Sequence, residues 1–299
     1  MKLYLAAGYN SAMGRFQGAY KRLSPQAKTA FDYCNHRLES YHYLHSESLL
    51  EHIRRDGRKV FLDSGAFSAF SLGVDVSLED YAAFCHKNAD IILMPSVLDA
   101  IGDPDGTWVN QKRLEDLGVA CLPCYHFGEP EAVLEYYLEH YDYITIGGMV
   151  PISSPNLKRW LDRIWPDHLL DSNGQPRAKI HGFGLTSPEL MERYPWYSVD
   201  SSSWVQIASF GAVFEPDYGA LHISEKAPNR KSFNQHFDNL APVVQDRLRA
   251  TFEFYGFTAD QLRTCYIHRR AYNALRYTLL AEQIEKRRDP HVTEQRYLL

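Results

Sequence analysis

Short apolar runs alternate with amphipathic segments along the first two thirds of the chain. The strand-like runs lie at about 2–7, 38–44, 59–63, 91–98, 119–125, 143–146, 179–181 and 197–200. Helical patterns separate most of them, near 48–55, 78–88, 107–117, 130–141, 155–170 and from 187 onward. About eight strand–helix units in a chain of this length favour an α/β fold of the (β/α)8 TIM-barrel type. A doubly wound open sheet is the alternative.

The pattern changes after Trp204. A short apolar segment follows at 212–214. Three helical patterns come after it, at 241–254, 258–266 and 269–287. We therefore expect a barrel core over residues 1–205. Residues 206–299 are predicted to form a C-terminal helical extension packed on that barrel.

Composition and charge place the chain among ordinary globular proteins. Its 299 residues are 45% hydrophobic and 23% charged, with a net charge of −5. This balance argues against a surface coated throughout with nucleic acid, but it allows a local basic face. No signal-peptide pattern or apolar run of membrane-span length occurs. We therefore expect no membrane partner. Five scattered cysteines favour a reducing, cytoplasmic setting without disulfides.

Polar residues and glycines follow the ends of several predicted strands. These ends are Asp63-Ser64-Gly65, Asp99, Gly147-Gly148-Met149, His181-Gly182-Phe183-Gly184 and Asp200. Any single acid here is also typical of a helix cap or a turn. In a barrel, however, all of these strand ends meet at one mouth. Carboxylates there can act as nucleophile and general base, and paired glycines expose backbone N–H groups that suit a flat polar heterocycle.

The ordered set of strand ends resembles the tRNA-guanine transglycosylase superfamily over residues 1–205. The family's Asp-Ser-Gly-Gly, Gly-Gly-Leu and Met-Gly-Val-Gly motifs are similar to Asp63-Ser64-Gly65-Ala66, Gly147-Gly148-Met149 and His181-Gly182-Phe183-Gly184. The family's nucleophilic aspartate falls on Asp200, and its base-recognising aspartate falls on Asp99.

The departures from the family pattern are specific. Ala66 stands in place of the second glycine and Met149 in place of a leucine, while His126-Phe127-Gly128 stands where the family has Gln-Gly. The family's zinc motif, Cys-x-Cys-x2-Cys with a distant His, does not occur in the sequence. In this respect the chain resembles the DNA-modifying branch, the DpdA-type enzymes of phages and bacteria. For a phage-encoded enzyme the cytoplasm is that of the host.

The resemblance implies an enzyme that exchanges guanine in DNA for a free 7-deazaguanine base without a cofactor. It implies that Asp200 is the nucleophile and that Asp63 handles protons. The implied contacts to the base are Ser64, Gly65, Asp99, His126, Gly147, Gly148, Met149 and Gly182. Two alternatives stay open: the same exchange on tRNA, and a non-catalytic relative that binds nucleic acid.

A possible metal motif, Cys121-x2-Cys124 followed by His126, lies on a predicted strand. A structural zinc site needs about four ligands, and no second cysteine pair accompanies this one. We therefore expect no metal, and we expect these cysteines to pack in the core or at its rim.

Basic residues are concentrated in the last predicted helices, at Arg263, His268, Arg269, Arg270, Arg276, Lys286, Arg287 and Arg288. A solvated helix face is one interpretation. The other is phosphate binding, because Arg and Lys supply affinity that does not depend on nucleic-acid sequence. On this second interpretation Arg269, Arg270 and Arg276 contact the polymer.

Overall fold

Eight parallel strands form one curled sheet in the computed structural model, which describes residues 1–149, 152–185, 187–232 and 234–288. The strands are β1 (Lys2–Ala6), β2 (Arg37–Ser40), β3 (Val60–Asp63), β4 (Ile92–Pro95), β5 (Cys124–His126), β6 (Tyr143–Gly147), β7 (Lys179–Gly182) and β8 (Ser198–Ser201). Their order is β4-β3-β2-β1-β8-β7-β6-β5. The first strand therefore pairs with both the second and the last. The predicted α/β class and the eight strands are confirmed.

Helices follow most of the strands. Within the described ranges they are α1 (Gly18–Lys21), α2 (Pro25–Tyr33), α3 (Glu47–Asp56), α4 (Ala66–Ser71), α5 (Leu78–Lys87), α6 (Pro104–Asp116), α7 (Glu131–His140), α8 (Ser154–Ile164), α9 (Pro188–Arg193), α10 (Ser203–Ser209), α11 (Pro242–Phe254), α12 (Ala259–Thr264) and α13 (Tyr266–Arg288). Several predicted segments differ in detail. The strand predicted at 119–125 spans only Cys124–His126, and the one predicted at 91–98 spans Ile92–Pro95. The second strand ends at Ser40 and passes into a 3-10 turn, and the helix predicted to reach residue 170 ends in a π-helical turn at Trp165–Leu169.

Contacts divide the chain into two compact units. The first comprises residues 1–10 and 36–201 and contains the eight-stranded sheet, and the second comprises residues 11–35 and the chain from 202 onward. The sequence pattern places the boundary at residue 205, and the contacts separate residues 201 and 202. Residues 11–35, expected to belong to the core, belong instead to the second unit. They do so because α2 packs along α13, where the Ser24 backbone N–H donates to His268 Nε2 at 3.3 Å.

Side chains alternate between the two faces of β3, and this alternation determines the face on which Asp63 lies. Phe61 packs with Tyr4, Ala6 and Leu38 in one apolar cluster. Its neighbours Val60 and Leu62 belong to a different cluster, which includes residues of α3 and α5. Successive side chains of a strand point to opposite faces. Asp63, two residues after Phe61, therefore shares its face.

The edge strands β4 and β5 approach each other just outside their named ranges. The Val97 N–H donates to the Leu122 carbonyl at 2.9 Å, and the Leu122 N–H donates to the Pro95 carbonyl at 2.9 Å. These bonds form a parallel bridge between Ser96 and Leu122. Backbone hydrogen bonds thus also join the two ends of the strand order.

The second unit is mainly helical, as predicted for the C-terminal part. It also contains an antiparallel hairpin of β9 (Ala212–Glu215) and β10 (Gly219–His222), of which only the first strand had an apolar signal in the sequence. Asn273 of α13 accepts the Phe214 N–H at 2.8 Å and so fixes the hairpin to the long helix. Among the described residues, we find no helix whose length and apolar character would allow it to cross a membrane.

Candidate active site

Three aspartates lie at or just beyond the carboxyl ends of strands β3, β4 and β8. Asp63 is the last residue of β3, Asp99 follows β4, and Asp200 lies in β8. Burial, together with the charges of Asp99 and Asp200, raises the pKa of Asp63 to about 7, against the opposing effects of the Gly65 N–H and the Ser40 hydroxyl. The three predicted acids are thus close enough to interact electrostatically. Asp63 can take up or release a proton near neutral pH.

The turn after β3 is shaped by Gly65, which has a φ of 74°. Its N–H donates to Asp63 Oδ2 at 3.2 Å. A side chain here would overlap the Ser40 hydroxyl and lie 2.7 Å from His42 Cβ, so the position requires glycine. Ser64 is fully buried, and its N–H donates to Ser96 Oγ at 3.0 Å. Its hydroxyl oxygen has no hydrogen-bond partner in the described part of the chain.

Asp200 accepts one backbone hydrogen bond and lies beside one imidazole. The Gly184 N–H donates to Asp200 Oδ1 at 2.7 Å, and His181 Nε2 lies 3.5 Å from the same oxygen. His181 is fully buried, and burial lowers its pKa against the opposing effect of Asp200. Its Nδ1 lies 2.7 Å from Ser198 Oγ, which in turn lies 2.6 Å from the Tyr143 hydroxyl. A neutral imidazole, joined to the hydroxyls of Ser198 and Tyr143, therefore lies beside the carboxylate for which the family resemblance implies the role of nucleophile.

The sequence interpretation assigned no role to His181 or Ser198 in supporting Asp200. The available signal was the period of two along β8, which puts Ser198 on the same face as Asp200. The position of His181 on β7 follows from the pairing of its Cα with that of Ser198. The pairing of β7 with β8 depends on the tertiary fold, so the local residue pattern does not predict it.

His126 lies at the end of β5, next to Asp99. Its Nε2 is 3.4 Å from Asp99 Oδ1, and its Nδ1 is 2.9 Å from Glu129 Oε1. Glu129 Oε2 also accepts the backbone N–H of His126 at 3.0 Å. Burial lowers the pKa of His126, but Cys124, Asp99 and Glu129 outweigh burial and raise it well above its usual range. The structure therefore brings together the predicted base contacts Asp99 and His126, and it adds Glu129, three residues downstream in the loop before α7.

Gly147, the last residue of β6, lies against the same group. A Cβ atom on Gly147 would be 2.8 Å from Cys124 Sγ and 3.0 Å from His126 Cδ2. Only glycine leaves room for the imidazole here. Gly148 follows with a φ of 67°, and Met149 is buried. The predicted Gly147-Gly148-Met149 segment thus adjoins His126.

Gly182 has a different environment. A Cβ atom at this position would lie 3.1 Å from the Trp196 ring and 3.4 Å from Leu185 Cβ. Packing against Trp196 accounts for the glycine, while its backbone pairs with the neighbouring strands. A contact from Gly182 to a base stays a prediction.

The proposed polymer contact at Arg269 needs correction. Arg269 is only 6% exposed, and its guanidinium donates to three backbone carbonyls. These are Ala208 at 2.9 Å, Leu262 at 2.8 Å and Arg263 at 3.2 Å. The carbonyls lie in the last turns of α10 and α12, where carbonyl groups have no N–H donor within their own helix. Arg269 therefore caps two helix ends inside the second unit.

Arg270 and Arg276 also have internal partners. Arg276 forms an ion pair with Glu215 at 2.9 Å and donates to the Tyr255 hydroxyl at 2.9 Å. Arg270, which is partly buried, donates to the Ser11 carbonyl at 3.1 Å. These contacts correct the expectation that the three arginines form an exposed phosphate-binding face. Their spacing in the sequence did not distinguish an exposed charge from a buried and paired one.

We expect Arg269→Ala to lower the free energy of unfolding by about 2–4 kcal/mol, because buried carbonyls lose their donor. Denaturant unfolding measures the difference. Lys286→Ala, which changes an exposed residue of the same helix, is the matched control and is expected to have little effect. Equal stability of Arg269→Ala and the unaltered protein would contradict the capping role.

Comparison with known proteins supplies no family for the chain. No protein-family model matches it, and no curated protein matches it either. The side chains at the carboxyl edge of the sheet are therefore the basis on which a function can be assigned.

Proposed function

We propose that the protein is a transglycosylase that exchanges guanine in DNA for a 7-deazaguanine base through a covalent aspartyl–glycosyl intermediate. The observation that carries the proposal is the placement of three carboxylates, Asp63, Asp99 and Asp200, at the carboxyl ends of parallel strands. Burial and the charges of Asp99 and Asp200 raise the pKa of Asp63 there to about 7. Base exchange needs one ionised carboxylate as a nucleophile and a second group that moves protons near neutral pH.

The architecture supports this proposal. The strand order, in which β1 lies between β2 and β8, is the order of a (β/α)8 barrel. We propose that the bridge between Ser96 and Leu122 closes that barrel between β4 and β5. The carboxyl ends of the strands would then surround one mouth, which is where barrels of this type carry out their chemistry.

In the first displacement, the Asp200 carboxylate attacks C1′ of the target nucleoside. The C1′–N9 bond breaks, its electron pair goes to N9 of guanine, and the protonated Asp63 donates a proton to the departing base. The Gly184 N–H at 2.7 Å from Asp200 Oδ1 orients the carboxylate for this attack. The product is an ester between Asp200 and C1′.

In the second displacement, N9 of the incoming 7-deazaguanine attacks C1′ from the vacated face. The C1′–O bond to Asp200 breaks, its electron pair returns to the carboxylate, and Asp63 accepts the N9 proton. Two inversions retain the configuration at C1′, as in retaining glycosidases. Asp63, with a pKa of about 7, can serve both steps. It donates a proton in the first displacement and accepts one in the second.

Recognition of the base is assigned to Asp99 and the residues beside it. A carboxylate accepts hydrogen bonds from the amino and ring N–H groups of guanine, and Asp99 offers one beside His126, which is 3.4 Å away. Gly147 leaves space against that imidazole. The target base has to leave its stack to reach these groups.

The experiment that tests the proposal measures transfer of labelled guanine into duplex DNA, single-stranded DNA and tRNA, in the presence of a chelator. Incorporation into DNA is the expected result, since the sequence does not contain the zinc motif of the tRNA-modifying relatives. Incorporation confined to tRNA would replace DNA by RNA as the substrate. Absence of label from all three polymers, with a folded protein, would contradict base exchange.

A further inference from the structure

Three different ligand types converge beside the acids at the carboxyl edge of the sheet. Asp99, Cys124 and His126 each offer one ligand atom, and these atoms all lie within 4.8 Å of one another. Carboxylate oxygen, thiolate sulfur and imidazole nitrogen are the donors that Zn²⁺ and similar divalent ions take in proteins. The sequence motif had suggested Cys121 as a further member, but its sulfur contacts Gln111 Oε1 at 3.3 Å.

The orientation of His126 is the second observation that points to a ligand. Its Nδ1 is held 2.9 Å from Glu129 Oε1, so that Nε2 is directed towards Asp99. Histidines that ligate metals are commonly fixed in this way by a carboxylate on the other ring nitrogen. The Glu129 side chain is only 7% exposed, which makes it a rigid support.

The third observation concerns the Asp99 oxygen and the Cys124 thiol, which are both buried and available to bind an ion. Asp99 Oδ1 is buried and has no hydrogen-bond partner among the residues that the structure describes. Cys124 is a buried free thiol, 1% exposed. His126 Nε2 lies 3.4 Å from this oxygen, and a cation shared by the oxygen, the sulfur and the nitrogen would take the place of the protons on the thiol and the imidazole.

We propose that Asp99, Cys124 and His126 bind one divalent ion of the zinc class. Three protein ligands leave one coordination position open for water or another small ligand. The ion is not assigned to base exchange. Because Asp99 is also the proposed acceptor for guanine, the ion and the base would compete for it.

Titration of the chelator-treated full-length protein with Co²⁺ tests the site independently of base exchange. A cobalt–thiolate bond gives a charge-transfer absorption, and we expect that band to saturate at one ion per chain and to be displaced by Zn²⁺. Cys124→Ser should abolish the band. Glu129→Gln keeps all three ligands but loses the anionic support of His126, and it should weaken binding by about 10–100-fold.

Cys121→Ser is the matched control, since it removes a buried thiol three residues away and should leave the band unchanged. Asp99→Asn is a second ligand variant, and unfolding curves establish that each variant is folded. Lack of a saturable band in the unaltered protein would overturn the proposal. Loss of the band in Cys121→Ser, with retention in Cys124→Ser, would overturn it as well.

Discussion

Replacement of Asp200 by asparagine is expected to abolish base exchange, with a loss of about 10⁴-fold or more, as for other essential nucleophiles. The amide of asparagine is a poor nucleophile, so no ester to C1′ can form. The side-chain oxygen of asparagine can still accept the Gly184 N–H, which donates to Asp200 Oδ1 at 2.7 Å. The variant should therefore keep its fold while losing both exchange and the covalent adduct.

The control for this prediction is Asp105→Asn, which makes the same chemical change at an exposed position in the first turn of α6. It should exchange labelled guanine at the rate of the unaltered protein. Undiminished exchange by Asp200→Asn would remove Asp200 from the role of nucleophile and with it the proposed mechanism.

The second large effect is expected from Asp63→Asn, which should slow adduct formation by about 10²–10⁴-fold. Burial and the neighbouring charges of Asp99 and Asp200 raise the pKa of Asp63 to about 7. Its protonated form donates to the leaving base, so single-turnover formation of the adduct should slow as the pH rises through about 7. Asparagine cannot donate that proton, and the variant should lose this dependence. An unchanged pH profile in Asp63→Asn would contradict the assignment.

The same pKa predicts an effect on stability that does not depend on the reaction. The pKa of Asp63 is raised from 3.8 to about 7 on folding, so the folded state binds more protons than the unfolded state between these values. The contribution of Asp63 to stability therefore falls as the pH rises through this window, and it is most unfavourable above pH 7. Relative to the unaltered protein, Asp63→Asn should gain up to about 4 kcal/mol at pH 8 and little at pH 4. Unfolding curves at the two pH values measure the difference.

Residues that follow an apolar run directly could be placed from the sequence. The run Val60-Phe61-Leu62 predicts a buried strand, and the period of two then fixes the face on which Asp63 lies. Asp200 and Asp99 follow in the same way from their own strands. Because parallel strands share a direction, recognising eight of them was sufficient to expect these acids at one edge.

Contacts between distant segments could not be predicted in this way. Residues 11–35 have a polar, mixed pattern, and nothing local indicates that α2 packs along α13. Arg269 lies in a basic run, yet its partners are the carbonyl ends of α10 and α12, which are defined only by tertiary packing. Asp99, Cys124 and His126 come together because the segment after β4 adjoins β5, whereas the local motif suggested Cys121 as the partner of Cys124.

The most direct test of the account is the mass of the protein after incubation with a guanine-containing DNA oligonucleotide in the absence of an incoming base. We expect a covalent adduct that is heavier than the protein by the mass of the oligonucleotide minus guanine, and peptide mapping should place the attachment on Asp200. Addition of a 7-deazaguanine should then discharge the adduct. Attachment to another residue, or exchange of labelled guanine without any adduct under these conditions, would contradict the covalent mechanism.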